Sequence, residues 1–112
     1  MATLPAMIMT MERASFTIND GAEDMLLHER PVMIAALTRR FSGCLAAFLT
    51  KEDDGSWLDV LVWRSREEAE EAAKLVDTVP ECKAWFRHIA VSGGLRHTEV
   101  VDMLISHDAL FD

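Results

Sequence analysis

The chain has 112 residues, 50% of them hydrophobic, the size of one globular domain that buries only about 65% of its unfolded surface. Eleven Lys and Arg against 19 Asp and Glu give a net charge of −8, which argues against a nucleic-acid surface. No apolar run approaches the roughly 20 residues that span a bilayer, and "MATLPAMIMTMERASF" shows neither a basic leader nor a cleavage signal, so a soluble protein without a membrane partner is expected.

In chain order, Met7 to Phe16 reads as a first strand, and "NDG" at Asn19 to Gly21 as a turn that offers Asn19 or Asp20 as a helix cap. In the helix that follows, Leu26, Met33 and Leu37 share one stripe. Pro31 interrupts it, and either kinks the helix or restarts it from a first turn. Phe41 to Thr50 is a second strand, joined through the polar loop "KEDDG" to a third, Trp57 to Trp63. That third strand is apolar on both faces, as a strand covered on both sides would be, with Asp59 the exception.

Ser65 and Glu68 have capping-box spacing, so a helix begins near Arg66, with Ala69, Ala72, Ala73 and Val76 on its buried stripe. Thr78 and Glu81 repeat that spacing around Pro80 and predict a further short helix carrying Cys82, Phe86 and Ile89 on one stripe, with Trp85 adjoining. "SGGLRH" is expected to end this segment. His97 to Ile105 alternates as a last strand, and residues 106–112 form a short tail. Cys44 and Cys82 stand alone in apolar runs, without metal-ligand spacing, and read as buried reduced thiols of a cytoplasmic protein.

Strand, helix, strand, strand, helix, helix, strand is the ferredoxin-like plan of a single α+β domain over residues 1–112, a four-stranded antiparallel sheet with helices on one face. Helices shield only one sheet face. A second copy of the chain is the natural cover for the other, which predicts a homodimer.

"FTINDGAEDML" (Phe16 to Leu26), "RRFSGCLAAFLTKEDDGSWLDVLVWRSREEAEEAA" (Arg39 to Ala73) and "HTEV" (His97 to Val100) resemble the antibiotic biosynthesis monooxygenase family of dimeric α/β barrels. The resemblance covers nearly the whole chain. It implies one of several activities, since members include cofactor-free oxygenases of aromatic polyketides, haem-degrading enzymes and proteins of no established activity. The Asn, Trp and His of the haem-degrading branch fall on Glu12, Ala72 and near Phe86, with His88 two residues away, so haem is not the expected substrate. The quinone-forming oxygenases rely in part on a Tyr. This chain has none.

Glu12 then occupies a family pocket position on the first strand, where burial would raise its pKa and make it a general base for an acidic phenol or α-carbonyl proton. Phe48, Trp63, Trp85 and Phe86 are candidate walls for a small hydrophobic ligand, and the Ala69, Ala72, Ala73 face leaves it room. Each of these side chains is equally at home in a packed core. Among the histidines His88 is the candidate second catalytic group, His28 reads as solvated, and His97 opens the last strand near a pocket mouth. No metal-ligand spacing is present, and neither metal nor other cofactor is expected. Two classes of function remain: a cofactor-independent monooxygenase or related isomerase or cyclase, and a non-catalytic dimeric protein that binds a small ligand or serves structurally.

Overall fold

The computed structural model describes residues 8–104. The chain alternates β1 (Thr10–Ile18), α1 (Glu23–Arg40), β2 (Cys44–Lys51), β3 (Trp57–Trp63), α2 (Arg66–Leu75), a 3₁₀ turn (Val76–Thr78), α3 (Pro80–Phe86) and β4 (Ile89–Glu99). The strands form one antiparallel sheet in the order β2-β3-β1-β4. All three helices lie on one side of it, which is the ferredoxin-like α+β arrangement.

Side chains alternate across a strand, so the helix-covered face takes every second residue. On β3 these are Trp57, Asp59, Leu61 and Trp63, all buried, and on β1 Thr10, Glu12, Ala14 and Phe16. Helix α1 closes this layer with Leu26, Met33, Ala36 and Leu37, the stripe expected from its periodicity. It runs through Pro31 without restarting there. Trp85 of α3 is buried against Phe16, edge to face at 5.9 Å, and its Nε1 donates to the Leu26 carbonyl at 2.8 Å, joining α3 to α1.

Half of the expected capping box forms: Ser65 Oγ accepts from the Glu68 backbone N–H at 3.2 Å, contributing about 1 kcal/mol to the start of α2, while the Glu68 carboxylate turns to Arg64 and the Ser65 hydroxyl. The other expected caps do not form. Thr78 Oγ1 donates back to the Leu75 carbonyl, so α3 starts after Val79 with Pro80 in its first turn and no side-chain cap. Asn19 is drawn away from α1, donating its backbone N–H to the His88 carbonyl and its Nδ2 to that of Arg87, which pins the end of β1 to the start of β4.

The largest correction concerns the last strand. It begins at Ile89 and ends at Glu99, so "SGGLRH" lies inside β4; Ile105 and the tail fall outside the described residues, as does Met7. The strand passes Gly93 and Gly94 through a bulge, where its register against β1 shifts between Ala14 and Phe16. Gly94 has φ +99°, and a Cβ on Gly93 would sit 2.1 Å from Ser15 Oγ and 3.1 Å from the Ser15 carbonyl oxygen. Gly93→Ala is therefore expected to destabilise the fold by about 1–3 kcal/mol, read as a lowered urea midpoint, with part of the loss returned in a Ser15→Ala background.

Candidate functional site

The helix-covered face is not completely filled. A cavity of about 150 Å³ lies between sheet and helices, with Met33, Leu37, Leu61 and Trp63 in its walls. Ala72 and Ala73 of α2 leave the space, because a methyl fills little of the gap between helix and sheet. Val76, Phe86 and Leu95 border it, and the exposure of Ala73 and Leu95 puts its mouth between the end of α2 and the edge strand β4.

Two carboxylates face this apolar space, Glu12 from β1 and Asp59 from β3. The Asp59 carboxylate is met on both oxygens by the Arg30 guanidinium, at 2.8 and 2.7 Å, and that guanidinium also lies 5.0 Å from the Trp85 ring centroid. Two parallel N–H donors and an aromatic face keep this buried charge compensated. Glu12, 8% exposed, has a single side-chain partner: His97 stands opposite it in the β1–β4 register, with His97 Nε2 2.9 Å from Glu12 Oε1.

Burial pushes the Glu12 carboxyl above its ordinary 4.5, and the Asp59 charge pushes the same way. The hydrogen bond and charge of His97 oppose the shift without cancelling it. The indole N–H of Trp63 also favours the ionised carboxylate slightly, yet it stops short of a hydrogen bond. Trp63 is 1% exposed, and its Nε1 is the one buried side-chain polar atom among the described residues that lacks a partner. Leaving such a donor unsatisfied costs about 1–3 kcal/mol.

Of the residues singled out from the sequence, Glu12, Trp63, Ala72 and Phe86 meet at this cavity. Three others do not. Phe48 is 57% exposed and pairs with Val60 on the sheet face turned away from the helices. The cause is a bulge between Cys44 and Ala46: strict alternation from Cys44 would turn Phe48 inward, and one extra residue turns it out. Trp85 belongs to the packed core, its N–H already used by Leu26. His88 sits at the α3–β4 junction, its Nε2 3.0 Å from Glu29 Oε1 and its backbone bonded to Trp85 and Asn19, outside the cavity wall.

His97 is the histidine that reaches the site, and its signal in the sequence was weak because its partner lies on β1. Asp59 was visible as the one polar interruption of an apolar strand. Cys44 and Cys82 are free thiols, each pushed by burial to about 11. No group of three or more metal-binding side chains occurs among the described residues, and no helix among them is long and apolar enough to cross a membrane.

No protein-family model and no curated protein matches the chain. Solved structures do. A candidate antibiotic biosynthesis monooxygenase from Bordetella bronchiseptica superposes with a TM-score of 0.71 at 18% identity, over 84% of this chain and 98% of its own. SnoaB, a cofactor-independent oxygenase from Streptomyces nogalater, superposes at 0.67 with 18% identity, over 88% and 99%. A nipsnap family protein of unknown function from Agrobacterium tumefaciens reaches 0.61 at 10% identity, over 89% and 94%. The fold expected from the sequence is therefore shared with proteins of the antibiotic biosynthesis monooxygenase kind.

The Glu12 proton is held more tightly in the folded state than in the unfolded chain. Its contribution to stability is thus fully present below pH 4.5 and is lost as the pH rises through the raised folded value. Carboxyl-carbon NMR of the folded protein is expected to show Glu12 titrating above 4.5. A midpoint at or below that value would mean that burial does not outweigh the hydrogen bond and charge of His97.

Proposed function

We propose that the protein is a cofactor-independent monooxygenase acting on a small hydrophobic, hydroxylated aromatic molecule, with Glu12 as general base. The observation that carries this reading is a desolvated carboxylate, Glu12, with one oxygen bonded to His97 and the other without a side-chain partner, facing an apolar cavity near an unpartnered Trp63 N–H. The named activity of SnoaB on the same fold supports the class of reaction. At 18% identity that support is analogy of fold.

In this mechanism Glu12 takes the proton of an acidic phenol, and His97 holds the carboxylate in place and balances its charge while it is ionised. The electron density released into the ring lets a ring carbon bond one atom of O₂, and protonation gives a hydroperoxide. Loss of water from that carbon, with O–O cleavage, leaves a new carbonyl. One oxygen atom stays in the product and the other departs as water, so the substrate supplies every electron that oxygen accepts. Met33, Leu37, Leu61 and Phe86 keep bulk water from the intermediate. Glu12→Gln keeps the shape and removes the base, and is expected to lower oxygen uptake about a hundredfold or more. Unchanged uptake in that variant would refute the role.

A non-catalytic ligand-binding protein is the second reading, favoured by the fact that Glu12 is already paired with His97, as a purely structural carboxylate would be. Saturable binding of a phenol without oxygen uptake would select it.

The reading includes a homodimer in the cytoplasm. The sheet face away from the helices carries Phe48, Val60, Val62 and Val91, with Phe48 and Val91 well exposed, and a second copy is the cover that this apolar face fits. Light scattering is expected to give twice the chain mass, with a Tm that rises with protein concentration. A stable monomer at micromolar concentration would refute it.

A further inference from the structure

We propose that the cavity takes an uncharged, single-ring phenol or dihydroxybenzene, its hydroxyl set between Glu12 and Trp63. The proposal deepens the oxygenase reading and rests on it for the chemical role of Glu12. Its own grounds are size, charge and hydrogen-bond complementarity.

The cavity volume is about 150 Å³. An engineered cavity of about that volume in another protein, lined by Leu, Ile and Phe, accommodates benzene. One aromatic ring therefore fits between Leu61 and Met33, and a second fused ring would have to stand out in the mouth or displace a wall. Close-packed walls resist that.

Charge narrows the choice further. Both carboxylates that face the cavity carry a negative charge when ionised, and the side chains that could counter a ligand anion are committed, Arg30 to Asp59 on both oxygens and His97 to Glu12. A ligand carboxylate would meet two anions and no free cation among the described residues. An uncharged ligand meets neither penalty.

The polar ends select the functional group. Trp63 Nε1 donates only and lacks an acceptor, while an ionised Glu12 carboxylate accepts only. A hydroxyl serves both at once, donating its proton to Glu12 and accepting from Trp63. A ketone or ether oxygen can satisfy Trp63 alone.

The test uses the full-length protein, titrated under argon with phenol and hydroquinone and, in parallel, with 1-naphthol, anisole and benzoate, followed by calorimetry or by NMR shifts of the Trp63 indole N–H. Phenol and hydroquinone are expected to saturate one site per chain at millimolar concentration and to move the Trp63 signal. Naphthol is expected to bind about tenfold or more weaker, the size of penalty set by overpacking the walls. Anisole is expected to bind more weakly than phenol, and benzoate not measurably. Ala72→Leu, which fills the cavity, is expected to abolish phenol binding while the far-UV circular dichroism is retained; should that variant fail to fold, the ligand series in the wild-type protein decides alone.

Naphthol or benzoate binding as tightly as phenol, or no saturable phenol binding, would overturn the proposal. Oxygen uptake, measured separately in air, keeps it distinct from the oxygenase reading. Binding of hydroquinone without uptake upholds the proposal and removes the oxygenase reading, whereas Glu12-dependent uptake with a fused-ring substrate and none with hydroquinone does the reverse.

Discussion

A carboxylate taken out of water must meet its counter-charge at hydrogen-bond distance, and the interior of this domain is arranged around two such requirements. The residual penalty for a buried, unpaired ion is several kcal/mol, a large share of the stability of a small domain. Asp59 meets it through Arg30 from α1, and Arg30 is in turn held over the Trp85 ring of α3. Glu12 meets it only in part, through a hydrogen bond with His97 from the neighbouring strand. The polar interior thus joins the helical layer to the sheet at one point and two strands to each other at a second, with the cavity between.

The two carboxylates are not equivalent. Asp59 is bound on both oxygens, whereas the single side-chain bond of Glu12 leaves its other oxygen free for a ligand. On that difference rests the proposed assignment of anchoring to Asp59 and proton transfer to Glu12. Shared architecture cannot make the assignment, since the same chain trace superposes both on a cofactor-independent oxygenase and on a nipsnap family protein of unknown function.

The sequence carried most of the fold because the strongest local signals agree with the tertiary arrangement. The third strand reads correctly from its apolar residues and its following Ser65 cap, and the helix stripe of Leu26, Met33 and Leu37 survives the proline in its middle. It misled where a strand breaks its own period. Ser92, Gly93 and Gly94 have the composition of a turn, but here they let β4 bulge past Ser15 and continue, a distinction that only the neighbouring strand makes. Phe48 was misplaced for the same reason, one extra residue reversing the facing of the rest of β2. Half of the site was legible, as Glu12 and Trp63 lie on regular stretches. The other half was not, because pairing His97 with Glu12 requires the register of two strands from opposite ends of the chain.

That separation bears on how the protein comes to possess a site at all. Glu12 and His97 are 85 positions apart, so closing β4 onto β1 joins distant parts of the chain, while the β2–β3 hairpin needs only local contacts. Long-range closures carry the larger entropic cost before any contact compensates for it. During synthesis β4 leaves the ribosome after β1, β2, β3 and the three helices, so the β2–β3 hairpin can form before His97 is available to Glu12. The Glu12–His97 pair therefore forms only when β4 has closed onto β1.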